Sequence, residues 1–343
     1  MTMTRIALVQ GEERYENVAQ ALRLVADQVD LGAARYLLIK PNFVSTRRQL
    51  AATHVEAVRA LLDFLRARYD GPIVIAEGAA ISDTMEGFRH FGYLPLVEAY
   101  DVVLLDLNAD ETVPVTVYDR RFRPLTLHLA RTVVEADYRI SVGPPKTHDT
   151  VVVTLALKNM VMGALVNPRA RGGDSRLVGS PETLRRLREM QVLRWDGTAG
   201  APGSGDHGSH KMAMHQGYPA INLNLALIAP RVAPHLAVID GYVGMEGSGP
   251  TAGDPVTWRI ALAGTNPLAV DWLTTRLMGF DPERVGYLHH LRRMGLWPDP
   301  EAVEVVGNAD PEAVARSFCP HPSTDRQYHW QLPLEMRSAV RSP

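Results

Sequence analysis

The sequence predicts an α/β protein with a mostly parallel sheet, covering helices, an inserted β-hairpin and a second α/β lobe. Three observations carry that expectation. Short, continuously apolar runs recur through the first third of the chain, and segments of helical period separate them. Clusters of Gly, Pro and polar residues mark the junctions.

The first strand candidate is RIALVQ, followed by a helix over Tyr15–Val29. RYLLIK then precedes a helix over His54–Tyr69, PIVIAE precedes one over Met85–Tyr100, and VVLLDL closes the series. Next, ETVPVTVYDRRFRPLTLHLA alternates apolar and polar residues on both sides of the turn YDRR, which predicts the hairpin, and the sheet resumes at YRISV. The segment Asp149–Leu165 reads as a helix with Asp149 as its N-cap. Between Asn167 and Gly217 the stretches NPRARGGDS and DGTAGAPGSGDHGSH flank a short helix that Ser180 and Pro181 would start. That composition predicts a mobile excursion able to serve as a lid. Order returns with the helix and strand of AINLNLALIAPRVAPHLAVIDG, the glycine-rich turn GYVGMEGSGPTAG, the strand WRIALAG, a helix over Pro267–Gly279 and a last strand in EAVEVVG.

The expected organisation is a first lobe over 1–142, a central motif helix and excursion over 143–217, a second lobe over 218–320 and a polar tail over 321–343. The last fifteen or so residues of that tail are expected to be partly disordered.

Thirty-six basic residues against 38 acidic ones leave a net charge of −2, so no overall field draws the chain to nucleic acid or an anionic membrane. An anion site must therefore be local. With Cys319 as the single cysteine, one chain can build neither a disulfide framework nor an iron–sulfur cluster or four-thiolate zinc site, which fits a cytoplasmic location. The apolar run near the N-terminus is too short and too polar in its flanks for an export signal or a spanning helix. No serine-hydrolase, zincin or kinase motif is present.

Four stretches concentrate chemistry. In PPKTHDTVVVTLALKNM, Lys146 and His148 precede the expected helix and its unpaired first amides, an anion-binding geometry. Thr150, Thr154 and Lys158 would share one face of that helix, with Asn159 beside them. A lysine in so apolar a segment must reach water or pair with an anion. IKPNFVS and AEG carry Lys40, Asn42 and Glu77 to the carboxyl ends of two strands, where open α/β sheets bind ligands. DHGSHKMAMHQG offers His207, His210, Lys211 and His215; its spacings could ligate a metal, but Lys211 and His215 are the stronger site candidates. VIDGYVGMEGSGPTAG brings Asp240 and Glu246 to a glycine-rich turn without a P-loop pattern, which suits a divalent cation or a hydroxylated ligand. His54, behind the capping Thr53, is expected on the same side as Lys40, His128 at the surface, and Asp271 in a structural role.

Taken in order, KPNFV, THVEAVRALLDFL, IVIAEG, FGYLPL, PKTHDTVVVTLALKNMVMGAL, MHQG, INLNLALIAP, LAVIDGYVGMEGSGPTAG and ALAGTNPLAVD resemble the bacterial and archaeal domain-of-unknown-function family 362. The resemblance implies an α/β fold and a shared polar site. Its motif positions here are Lys40, Asn42, His54, Glu77, Lys146, His148, Lys158, Asn159, His215, Asp240 and Glu246. Some family members carry an appended ferredoxin-type cluster domain, an inference that a chain with only Cys319 does not inherit.

The leading expectation is an enzyme of lyase, isomerase or hydrolase type acting on a small carboxylate or phosphate ester. Lys146, His148, Lys158 and His215 would be catalytic, and Lys40, Asn42, His54, Glu77, Asn159 and Lys211 would bind substrate. A second reading is a divalent-metal enzyme with His148, His215, Asp240 and Glu246 as ligands. A third is a non-catalytic protein that binds a cofactor or nucleotide. The cofactor stays open, no nucleic-acid or membrane partner is expected, and a homo-oligomer is compatible with the sequence.

Overall fold

The computed structural model describes residues 4–168, 176–194 and 208–341. The apolar runs become strands β1 (Thr4–Gln10), β2 (Leu37–Lys40), β3 (Ile73–Glu77) and β4 (Val102–Asp106). The hairpin supplies β5 (Thr112–Tyr118) and β6 (Pro124–Ala130), and β7 (Tyr138–Gly143), β8 (Lys146–His148), β9 (Val152–Thr154) and β10 (Leu177–Val178) follow. The second half adds β11 (Leu236–Glu246), β12 (Asp254–Gly264) and β13 (Val303–Val306).

Among the described residues, eleven of these strands form one mixed sheet in the order β10-β4-β3-β2-β7-β11-β12-β1-β13, with β8 joined to β11 and β9 joined to β8. β5 and β6 form a separate antiparallel pair. The fold is α/β, with a parallel centre at β4, β3, β2, β7 and β11.

Burial on both faces explains the continuous apolar runs. Leu38, Val74 and Val103 pack into one core layer, while Leu37, Ile39, Ile73 and Ile75 point into the other. The second layer is covered by helices such as Val55–Arg66, which buries Ala57, Val58, Leu61, Leu62 and Leu65. The first is covered by Ala156–Ala164 and Tyr218–Val232, both of which bury most of their length.

Several expectations change. β1 does not join β2–β4; it pairs antiparallel with β12 and parallel with β13, because an apolar run fits any interior position and its sequence names no neighbour. The helix expected over Met85–Tyr100 is two helices, Thr84–His90 and Pro95–Tyr100, separated where Gly92 adopts a φ of 78°. Asp240 and Glu246 lie within β11 rather than in a turn, and the loop after them begins at Gly247.

The largest change concerns the helix expected over Asp149–Leu165. Residues 146–154 form the β8–β9 hairpin, and the helix begins only at Ala156. A Val-rich run suits a strand, and periodicity alone does not separate a short buried strand from a buried helix. Asp149 is therefore not its cap, and Thr150 and Thr154 share no helical face with Lys158. The helix start is held by Asp271, whose carboxylate accepts from Ala156 N and Leu157 N, each at 2.9 Å. The anion-binding helix terminus is thus already occupied by a side chain of the protein.

The expected excursion over 167–217 falls partly outside the described residues, at 169–175 and 195–207. Within the described part, Ser180 Oγ caps the helix Pro181–Glu189 and β10 pairs with β4. The polar tail packs on the body of the protein, burying Gln327, Trp330, Leu332 and Val340. None of the described helices is long and apolar enough to cross a membrane.

Candidate functional site

β2 and β3 run parallel, so Lys40 and Glu77, their last residues, meet at one edge of the sheet. Lys40 Nζ lies 2.5 Å from Glu77 Oε2 and donates to Pro41 O at 2.8 Å and Asn159 Oδ1 at 3.0 Å. Three acceptors satisfy the three ammonium hydrogens. Asn159 Oδ1 also accepts from Asn42 Nδ2 at 2.9 Å, and Asn159 Nδ2 donates to Ser141 Oγ at 3.0 Å. Asn42 Oδ1 accepts from Lys146 Nζ, which donates again to Ala51 O at 2.9 Å.

These side chains form an interlocked floor, buried throughout. Burial lowers the Lys40 pKa against the opposing pull of Glu77; it holds Lys146 well below the usual lysine range, helped by the charge of Lys158. Gly163 makes room for the arrangement, since a Cβ there would overlap Cε and Nζ of Lys40.

Above the floor lies a cavity of about 340 Å³, within the usual size for a small-molecule site. Lys40, Asn42, Glu77, His148, Lys158, Asn159, Lys211 and His215 line it, with Phe43, Ile81, Met162 and Met212 as apolar wall. Pro250 and Thr251 reach in from the loop after β11, where Gly249 is required because a Cβ would overlap Thr147 O. Lys146 stands one hydrogen bond behind this wall.

Lys158 differs from its neighbours. It is 6% exposed, yet its ammonium has no hydrogen-bond or ion-pair partner among the described residues. Burial, only partly offset by Asp149, brings its pKa down to about 8. Lys211 is also buried, with its pKa lowered to about 7 chiefly by desolvation, but it donates to Met162 O at 2.7 Å and Gly163 O at 3.1 Å. Those carbonyls end the helix Ala156–Ala164, where cations are favoured.

The two histidines are oriented by backbone in opposite senses. His148 Nδ1 accepts from Thr150 N at 3.0 Å, so in the neutral ring the proton sits on Nε2. Asp149 Oδ1 also lies 3.0 Å from that Nδ1, but burial and the Lys158 charge hold His148 well below the usual histidine range, so this is a contact of a neutral ring, not an ion pair. His215 Nδ1 lies 2.9 Å from Lys211 O and must donate to it, which leaves a lone pair on Nε2. Burial and Lys158 lower its pKa as well. One cavity therefore holds one Nε2–H donor and one Nε2 acceptor.

Gln327, which the sequence reading passed over, fixes the His148 hairpin. Its Oε1 accepts from Val152 N at 2.5 Å and its Nε2 donates to His148 O at 2.8 Å. Val152 has a φ of 66°, a costly conformation for a β-branched residue and one that needs such external support. Nothing in the local sequence of the tail signals this role.

The remaining candidates lie elsewhere. His54 caps the helix Val55–Arg66 by accepting from Glu56 N at 3.3 Å, and it lines a different cavity together with Asp240 and Arg14. Asp240 sits 3.1 Å from Arg14 Nε, and Glu246 Oε2 accepts from Cys319 N at 2.8 Å. His148, His215, Asp240 and Glu246 are therefore not assembled as a ligand set: β11 carries Asp240 to the other cavity, and Glu246 is spent on a backbone amide. Among the described residues no three His, Cys, Asp or Glu side chains are grouped to hold a metal ion. His210 packs against a half-buried His128 with ring centroids 5.0 Å apart, and His207 lies outside the described residues.

A family model described as Domain of unknown function (DUF362) matches residues 37–276, more than half of the chain. The chain belongs to this family. The match takes in all the residues named above as lining the larger cavity, whereas Arg14 and Gln327 fall outside it. A thylakoid-associated protein, sll1697, of Synechocystis sp. is 22% identical over 272 residues, covering 79% of this chain and 70% of that protein. Among solved structures, the lactate racemase apoprotein of Thermoanaerobacterium thermosaccharolyticum is similar with a TM-score of 0.42 and 16% identity, over 76% of this chain and 54% of that one. A Thermotoga maritima protein is similar with a TM-score of 0.40 and 11% identity, over 74% of this chain and 56% of that one. The chain spans little more than half the length of each solved protein.

Proposed function

We propose that the larger cavity binds a small anionic metabolite, a carboxylate or phosphate ester, and moves a proton on it. The observation that carries this reading is Lys158, a buried ammonium without a hydrogen-bond or ion-pair partner among the described residues, in a cavity whose other lysines are already engaged. A buried charge left unpaired is costly, and a ligand oxyanion would relieve that cost.

The histidines supply the chemistry. In a substrate with an acidic C–H next to its carboxylate, His215 Nε2 takes the proton and the electron pair moves onto the carboxylate as an enediolate. The Lys158 ammonium and the His148 Nε2–H stabilise that developing charge. Returning the proton from His215 to the same carbon exchanges it with solvent; losing a leaving group from the neighbouring carbon, with the proton kept on His215 Nε2, gives a lyase product. A neutral His148 serves here as hydrogen-bond donor, not as a source of protons.

Calorimetric titration with a panel of small carboxylates and phosphate esters tests binding. Lys158→Met is expected to weaken the best ligand by about 10- to 100-fold, the worth of a charge-assisted hydrogen bond. Unchanged affinity in that variant removes Lys158 from the site. Incubation of the bound ligand in D₂O tests the chemistry: deuterium at carbon is expected, and recovery of unlabelled ligand makes the protein a binder instead.

The pH profile of kcat/KM follows from the same groups. Since His215 must be neutral and its pKa is lowered, activity is expected to persist below the usual histidine midpoint. Since Lys158 must be charged, activity is expected to fall as pH rises through about 8. A profile flat across that region would refute the lysine's role.

A further inference from the structure

A second cavity of about 220 Å³ is lined by Arg14, Gln49, Ala52, His54, Pro144 and Asp240, among others. It adjoins the first: Ala52 and His54 face it, while Ala51 O and Thr53 Oγ1, which alternate with them along the chain, are tied to Lys146 Nζ and Asn42 N of the floor.

Arg14 is held by one edge only. Its Nε lies 3.2 Å from Asp240 Oδ1 and 3.1 Å from Oδ2, and its guanidinium stands 4.8 Å from the centroid of the Tyr242 ring. Neither Nη has a hydrogen-bond partner among the described residues. Asp240, 3% exposed, also accepts from Tyr242 N at 3.3 Å, so the acid is spent on orienting the arginine. His54 Nδ1 accepts the Glu56 amide, which leaves the proton on Nε2, again without a partner among the described residues. Burial and the Arg14 charge both lower the His54 pKa, so the two groups are close enough to feel each other.

We propose that this cavity is a second binding site, for a small monocarboxylate whose oxygens take the Nη edge of Arg14 and the Nε2–H of His54. A planar two-donor fork matches a carboxylate. Asp240 in the wall, with Glu56 nearby, opposes a second negative charge on the ligand, so a phosphate dianion fits less well. Its lining shares no residue with that of the larger cavity.

The test follows the His54 imidazole by NMR in the full chain, assigned by its loss in His54→Gln, during titration with acetate against chloride at equal ionic strength. Acetate is expected to shift this resonance saturably and to raise its pKa, while the His148 and His215 resonances report the other cavity separately. In Arg14→Met/Asp240→Asn, which removes the ion pair as a unit, the response is expected to vanish. Arg14→Lys keeps the charge without the fork and serves if that variant fails to fold; it is expected to weaken acetate by about 10-fold. Equal responses to acetate and chloride, a native response in the double variant or in Arg14→Lys, or tighter binding of inorganic phosphate than of acetate would each overturn the proposal.

Discussion

The floor of the larger cavity and its upper wall are both built from buried cations, yet they solve the problem of burying charge differently. Below, Lys40 is matched by Glu77, two carbonyl-type acceptors complete its hydrogen bonds, and Asn42 and Asn159 pass the network on to Lys146. Above, Lys158 is buried without a partner among the described residues, and the nearby imidazoles are held by backbone through one nitrogen each. A satisfied network fixes structure, whereas an unsatisfied one stores interaction for a ligand. The chain therefore satisfies its buried cations below and leaves the proposed ligand contact above.

The sharpest way to break this comparison is Glu77→Gln, which strands Lys40. A loss of about 3–5 kcal/mol in urea unfolding is expected, as for a buried pair deprived of one member. A change below about 1 kcal/mol would mean that the floor does not depend on the pair.

Lys158→Met should act in the opposite direction, stabilising the ligand-free protein by about 1–3 kcal/mol at neutral pH, because the folded state suppresses this lysine's protonation. The unfolded chain keeps its proton to about pH 10.4 while the folded one releases it near 8, so native stability relative to the variant rises across that window. The advantage of the variant should shrink accordingly. A destabilised Lys158→Met with no such pH dependence would assign this lysine to the floor.

Between floor and rim stands the hairpin of His148. Gln327→Ala removes the acceptor of Val152 N and the donor to His148 O, and should cost about 1–3 kcal/mol. At the rim, Ile81 is 72% exposed, and Ile81→Ser should change stability by less than about 0.5 kcal/mol. Any altered ligand affinity in that last variant would then be a property of the cavity mouth.

Much of the floor was legible because strand ends are legible. LLIK and IVIAE are apolar runs that stop at a charged residue, so Lys40 and Glu77 had to emerge at the sheet's carboxyl edge. The hairpin over 112–130 was equally plain, since strict alternation around a polar turn has few other solutions. Residues 146–165 were harder: a Val-rich buried run satisfies strand and helix alike, and only packing against β11 and capping by Asp271 decide where one ends and the other starts.

By itself, then, the sequence determined an α/β sheet and the placing of a lysine, an amide and a carboxylate at the ends of two early strands. Tertiary structure alone decided which polar motifs share a cavity. His54 and Asp240 were separated from Lys40 because β11 delivers its side chains by position along the strand, and Asp240 faces Arg14 across a different space. Gln327 reached His148 from 179 residues away. Contacts of that separation depend on how all the intervening elements pack, and no local pattern of residues encodes them.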